Sequence, residues 1–162
     1  MATPFYYCGL VVNLNTRLFI NALDGVTEEQ ARQRISEHNN PLYWLAAHTV
    51  WARYMMCALL GKPTASNPYE GLFEKFKPYD PALDYGTLAM AKAEWQKASD
   101  LLQEALAGVT DAHLAAEGPL KNPTGDASFG GTVAFLAQHE SYDIGQMAFL
   151  KKYFTKEAMS YN

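Results

Sequence analysis

The sequence predicts an all-α protein, a four-helix bundle with long crossover connections. Three observations predict it. Four segments of about twenty residues each carry an apolar stripe at helical spacing. Caps, prolines and glycines punctuate their ends. No stretch alternates apolar and polar residues as a strand would. With 162 residues the chain reads as a single domain, 1–162, long enough for a sizeable core. Four amphipathic helices bury their stripes most simply against one another.

Thr3-Pro4 is a good helix start, a hydroxyl cap before a first-turn proline. Tyr7, Val11, Leu14 and Leu18 then recur at spacings of four and three, and Asp24-Gly25 closes this helix near Leu23. Thr27 followed by Gln30 reads as a capping box for a short helix running to about Ile35. Asn39-Asn40-Pro41 opens the next long helix, Leu42 to Leu60, which Gly61-Lys62-Pro63 stops. It is apolar nearly all round and should be largely buried. Residues 62–83 hold four prolines (Pro63, Pro68, Pro78, Pro81) and the aromatics Tyr69, Phe73, Phe76 and Tyr79. A connection of that length is usually packed down, and these aromatics could wall a pocket.

Asp84 is the expected cap of a helix to about Ala107, with Leu88, Ala91, Trp95, Leu102 and Leu106 inward and Gly108 closing it. A second long connection, 109–131, holds one helical turn at Asp111 to Ala116 and is broken by Gly118-Pro119 and Asn122-Pro123. Ser128 or Thr132 opens the last helix, which runs from about Thr132 to Phe154. Connections of roughly twenty residues are too long for tight hairpins, so at least one crosses over.

The chemistry is concentrated in His139-Glu140-Ser141-Tyr142-Asp143-Ile144-Gly145-Gln146. His139 and Asp143 are one helical turn apart and Gln146 continues their stripe, which Phe135, Leu136, Tyr142 and Leu150 flank. A carboxylate on an inward face needs a partner. His48 lies on the apolar face of the second long helix among Trp44, Leu45, Trp51 and Ala52. Two imidazoles and a carboxylate suit a divalent transition metal, with an open position for water or substrate. Such a metal lowers the pKa of bound water or thiol, and Gln146 could orient a ligand. Two other accounts stay open: hydrogen-bonded core histidines, or an ion pair of Asp143 with Arg17 or Arg53. Cys57, nine positions from His48, faces the opposite side of its helix, and His38 and His113 fall in connections.

The formal net charge is -4 with no basic cluster, which argues against nucleic acid as a partner. No run of eighteen apolar residues spans a membrane, and the N-terminus lacks a signal peptide's basic start. Two cysteines without motif spacing fit a reducing cytoplasm.

Two blocks, Asn40 to His48 with Arg53 and Leu59-Leu60-Gly61 following, and His139 to Gln146, resemble the DinB-like superfamily, which includes the damage-inducible DinB proteins of bacteria. Leu23 to Glu29 and the order of segments also fit. The resemblance implies an up-down-down-up bundle, a single metal site of three histidines and frequent homodimers. Its first two ligands match His48 and His139, and Asp143 stands where the third histidine is usual. That substitution either shifts preference toward harder ions among zinc, nickel, iron and manganese, or marks a lost site. Relatives transfer low-molecular-weight thiols, isomerise maleylpyruvate with thiol help, or hydrolyse small substrates. The implied activity is a metal-dependent transferase or hydrolase acting on a small molecule, with Trp44, Tyr142 and Gln146 around its pocket. The alternative is a non-catalytic metal- or ligand-binding bundle in a stress response.

Overall fold

A computed structural model of the protein describes residues 4–63, 67–74 and 77–162. Six helices occur in the order α1 (Pro4–Leu23), α2 (Glu28–Arg32), α3 (Leu42–Leu59), α4 (Leu88–Gly108), α5 (Asp111–Ala115) and α6 (Phe129–Thr155). Among the described residues there is no strand, only an isolated bridge between Glu117 and Ser128. No helix is long and apolar enough to cross a membrane.

The helix boundaries follow local chemistry, with three departures from the sequence expectation among the described residues. Thr3, the expected first cap, lies outside the described residues. The Thr27–Gln30 capping box forms, but α2 stops at Arg32 because Gln33 turns extended. α3 begins without a side-chain cap: Pro41 occupies the position, and it has no oxygen on its side chain to offer. Asp84 does not cap α4. Its carboxylate takes the Gly86 N–H at 2.9 Å in a turn, and Thr87 caps the helix by accepting from Met90 N at 3.1 Å.

Ser128 caps α6 by accepting from Gly131 N at 3.0 Å, so this helix starts three residues before Thr132. Two glycines in its first turn are poor helix formers. Gly131 is required nonetheless, since a Cβ there would lie 2.5 Å from the Asp126 carbonyl oxygen of the incoming loop.

Packing connects α1 with α6 and α4, and α3 with α4 and α6. Partner residues ascend together between α1 and α6, where Asn15 meets Ala137 and Lys151 meets Asn21. They do so again between α3 and α4, where Tyr54 meets Glu94 and Lys62 meets Glu104. They run in opposite senses between α3 and α6, where His48 meets Asp143 and Arg53 meets Glu140. α3 lies between two long neighbours, and fourteen of its eighteen residues are buried, so its all-round apolarity has a structural cause. In α1 the face turned inward is Val12, Asn15, Phe19 and Ala22. Tyr7, Val11 and Leu14, the more uniformly apolar stripe, are exposed.

The first long connection is packed down as expected, with Tyr69, Phe73 and Tyr85 buried in the core. Tyr43 stands edge-on to Tyr79 and Tyr85 in one cluster, with the Tyr43 and Tyr79 hydroxyls 3.2 Å apart.

Candidate metal centre

Two charged constellations share the α3–α6 interface, and helical phase separates them. Glu140 and Asp143 are three residues apart on α6, so their carboxylates leave the helix roughly 60° apart.

Glu140 turns toward Arg53. The guanidinium meets it bidentately, Nε to Oε1 at 2.8 Å and Nη2 to Oε2 at 2.7 Å. Nη1 donates to Thr16 Oγ1 at 2.6 Å and to Ser99 Oγ at 2.7 Å, and Nη2 also donates to the Val12 carbonyl at 3.3 Å. All five guanidinium N–H groups are thereby used. The charge lies 3.5 Å from the Trp95 ring centroid, and both side chains of the pair are 0% exposed. The ion pair that Arg53 was a candidate to make with Asp143 is therefore made with Glu140 instead. Arg17, the other candidate, is exposed.

What meets Asp143 is the pair of imidazoles. The residue is 3% exposed, and its Oδ2 lies 2.9 Å from His48 Nδ1 and 3.3 Å from His139 Nδ1. Gln146 Nε2 donates to Oδ1 at 3.4 Å. Thr49 Oγ1 lies 3.4 Å from Oδ2, but it donates its single proton to the nearer Leu45 carbonyl at 2.7 Å. His48 is in line for a hydrogen bond to Asp143. His139 Nδ1 is not, and it is buried without a hydrogen-bond partner. It lies close to the carboxylate without an aligned bond.

This donor set fits a metal ion. One atom from each of His48, His139 and Asp143 can be chosen so that all three lie within 4.8 Å of one another. Ligand bonds of about 2.1 Å separate neighbouring donors by roughly 3.0 Å in an octahedron and 3.4 Å in a tetrahedron. The observed separations of 2.9 and 3.3 Å are of that size. The unpartnered His139 nitrogen is the atom such an ion would satisfy.

Contact of its ring nitrogen with the Asp143 carboxylate raises the His139 pKa, and burial opposes this. Burial alone would raise the Asp143 pKa, but the two imidazoles outweigh it and hold the carboxyl below its ordinary range. The His139 contribution to stability is whole below its unfolded value of 6.5 and fades as pH rises through the folded one. That of Asp143 is present above 3.8 and fades as pH falls through the folded value. Without metal, the stability gap between wild type and Asp143→Asn should therefore be widest between about pH 4 and 6.5 and narrow as pH rises through the raised His139 value. Urea unfolding of chelated protein checks this, and a gap that widens toward alkaline pH would contradict it.

The remaining residues singled out in the sequence divide between two recesses. Trp44 stacks on His48 with centroids 4.9 Å apart and planes at 11°, and lines a cavity of about 640 Å³ together with both histidines. Phe73 lines it as well. Tyr69 and Tyr79 belong to the core cluster instead, and Phe76 lies outside the described residues. Tyr142 does not join the site. It is 62% exposed, in a separate groove that Asn40, Leu45 and Gln146 also line. His38 is exposed, and His113 Nε2 lies 2.8 Å from the Leu59 carbonyl. Burial pushes the Cys57 thiol up to about 12 and the Cys8 thiol up to about 11, so neither is a nucleophile near neutral pH.

Sequence reasoning passed over Glu140, Thr49, Glu74, Lys77 and Lys121. Glu140 carried a usable signal: a carboxylate 100° from His139 also faces inward, and two buried carboxylates require two sources of compensation. The loop residues carried none, since their approach to the site depends on how the connections fold back.

Residues 13–147 match the model of a family described as the DinB superfamily. No curated protein matches the chain.

Proposed function

The chain belongs to the DinB superfamily, and from that premise we propose that it is a metal-dependent enzyme acting on a small molecule, by thiol transfer or hydrolysis, at His48, His139 and Asp143. The observation that carries this reading is the convergence of three donors from two helices, two of which, His48 and His139, line a 640 Å³ cavity. A divalent ion bound there, whether zinc, nickel, iron or manganese, would supply Lewis acidity that lowers the pKa of a thiol or water. The protein's own part is positional. Gln146 holds the second Asp143 oxygen. Trp44 fixes the His48 ring. Screening metal-loaded and chelated protein against several low-molecular-weight thiols and small ester or amide substrates tests the reading. Turnover should require loading, and metal-independent turnover would refute it.

The fold reading that accompanies this is a single-domain four-helix bundle of up-down-down-up order, supported by the senses in which α1, α3, α4 and α6 pair. A cytoplasmic setting is part of the same reading, and its support is the two free, buried or half-buried cysteines.

We further infer a homodimer. Tyr7, Leu10, Val11 and Leu14 of α1 and Tyr142 and Phe149 of α6 are exposed, and α1 carries a single charge, Arg17, in twenty residues. Unpartnered apolar stripes of this kind mark association surfaces. Light scattering should give twice the 18.0 kDa chain mass, and Leu14→Glu should return it to one chain without loss of helicity. A wild-type protein of one chain mass at high concentration contradicts the dimer.

The alternative is a non-catalytic metal- or ligand-binding bundle of a stress response. It is favoured by Asp143 itself, whose two imidazole contacts satisfy it without any ion.

A further inference from the structure

The cavity beside the two imidazoles is lined largely by aromatic side chains, together with a few charged ones. Phe73 stands edge-on to Trp44 and to His48, with centroids at 5.3 and 5.1 Å. Trp51 flanks His48 at 5.8 Å, and Phe135 stands edge-on to His139 at 6.0 Å. Flat rings on several sides favour a flat apolar guest, and the volume is that of a typical small-molecule site.

Three charged side chains border the opening: Glu74, Lys77 and Lys121. The first two carry opposite charges and are both tied to Gly71. Glu74 Oε1 accepts the Gly71 N–H at 2.7 Å, Lys77 Nζ donates to the Gly71 carbonyl at 2.6 Å, and the Lys77 charge acts on Glu74. The other Glu74 oxygen is buried without a hydrogen-bond partner. Lys121 is exposed and makes no hydrogen bond or ion pair among the described residues, and none of the residues outside that set is acidic. One positive charge is thus left over beside an apolar chamber.

We propose that the ligand of this cavity is an aromatic monoanion, an aryl carboxylate in the simplest case, whose ring packs against the wall that Trp51, Phe73 and Phe135 line and whose charge is selected by Lys121. The proposal rests on reading this cavity as the substrate site. A multiply charged thiol fits it less well, since the aromatic walls offer its further charges no partner.

The probe pair is naphthaleneacetate and its neutral isostere naphthaleneacetamide, titrated by tryptophan fluorescence into both chelated and zinc-loaded protein. Chelated protein isolates the lysine, because a carboxylate could also bind zinc. There the anion should bind about fivefold tighter than the amide, and the preference should shrink at high salt. Lys121→Met should bring the anion to the affinity of the amide and leave the amide unchanged. Failure of both probes to bind, equal binding of the two to wild type, or an equal loss of both in Lys121→Met would each overturn the proposal. Anion preference in a protein that takes up no zinc would uphold the ligand class while the metal reading fails, so the two stand or fall separately.

Discussion

Purified protein reloaded with zinc, nickel or manganese should hold about one equivalent of metal per chain, and His48→Ala or Asp143→Ala should abolish stoichiometric binding. Each of these residues supplies one of only three donors, so its loss should exceed the roughly 10- to 100-fold that removing a supporting partner costs. Gln146→Ala is the graded control. It touches only the far oxygen of Asp143, at 3.4 Å, and should weaken binding about tenfold. Because an ion binds the folded chain alone, metal at a thousand times its Kd should add about 4 kcal/mol of stability. Asp143→His should shift preference from manganese toward zinc, since imidazole is the softer donor. Elemental analysis and competition with a chromophoric chelator read all of these. A wild-type protein without stoichiometric metal after reloading would leave Asp143 as a carboxylate satisfied by two imidazoles, and would sink the metalloenzyme reading.

Arg53→Met should cost about 3–5 kcal/mol of folding stability, because it strands the Glu140 carboxylate in a site from which water is excluded. In a chain of this length that corresponds to a fall in Tm of about 10 °C. Glu140→Leu should cost a similar amount by stranding the guanidinium. The double variant Arg53→Met/Glu140→Leu should recover much of either loss, since what is expensive is an unpaired buried charge rather than the absence of the pair. The losses should be the same with and without metal, because the Arg53 network and the Asp143 site use different faces of α6. Chemical denaturation of the three variants checks this. A single substitution costing under about 1 kcal/mol would show that the pair is more solvated than its burial indicates.

These two outcomes divide the polar residues of α6 into a structural lock and a candidate site. The division was only partly legible in the chain. Helical phase placed His139, Asp143 and Gln146 on one stripe and His48 on another apolar face, because a period of 3.6 residues is a property of the backbone and needs no partner. The caps at Thr27 and the end of α1 at Gly25 were equally local: an oxygen on the side chain, or a positive φ of 72° that glycine adopts freely.

What depended on the partner could not be read that way. Arg53 was one of two candidate partners for Asp143, and only the rotation of α3 against α6 gave it to Glu140. Tyr7, Val11 and Leu14 make a better apolar stripe than Val12, Asn15 and Phe19. Yet the face that turned inward was the one whose amide bonds the Ala137 carbonyl and whose Phe19 stacks on Trp95 at 4.1 Å. Tyr142 sits in the motif but outside the site, and Lys121 sits in an unpatterned loop but at the cavity mouth.

The sequence by itself determined the helices, their approximate limits and the residues of the candidate site, since these follow from backbone periodicity, capping and side-chain chemistry within a few residues. Only the tertiary structure decided which carboxylate met which cation, which face of α1 was buried and which loops closed over the imidazoles. Those outcomes are set by contacts between residues about 40 to 130 positions apart, whose relative orientation no local pattern encodes.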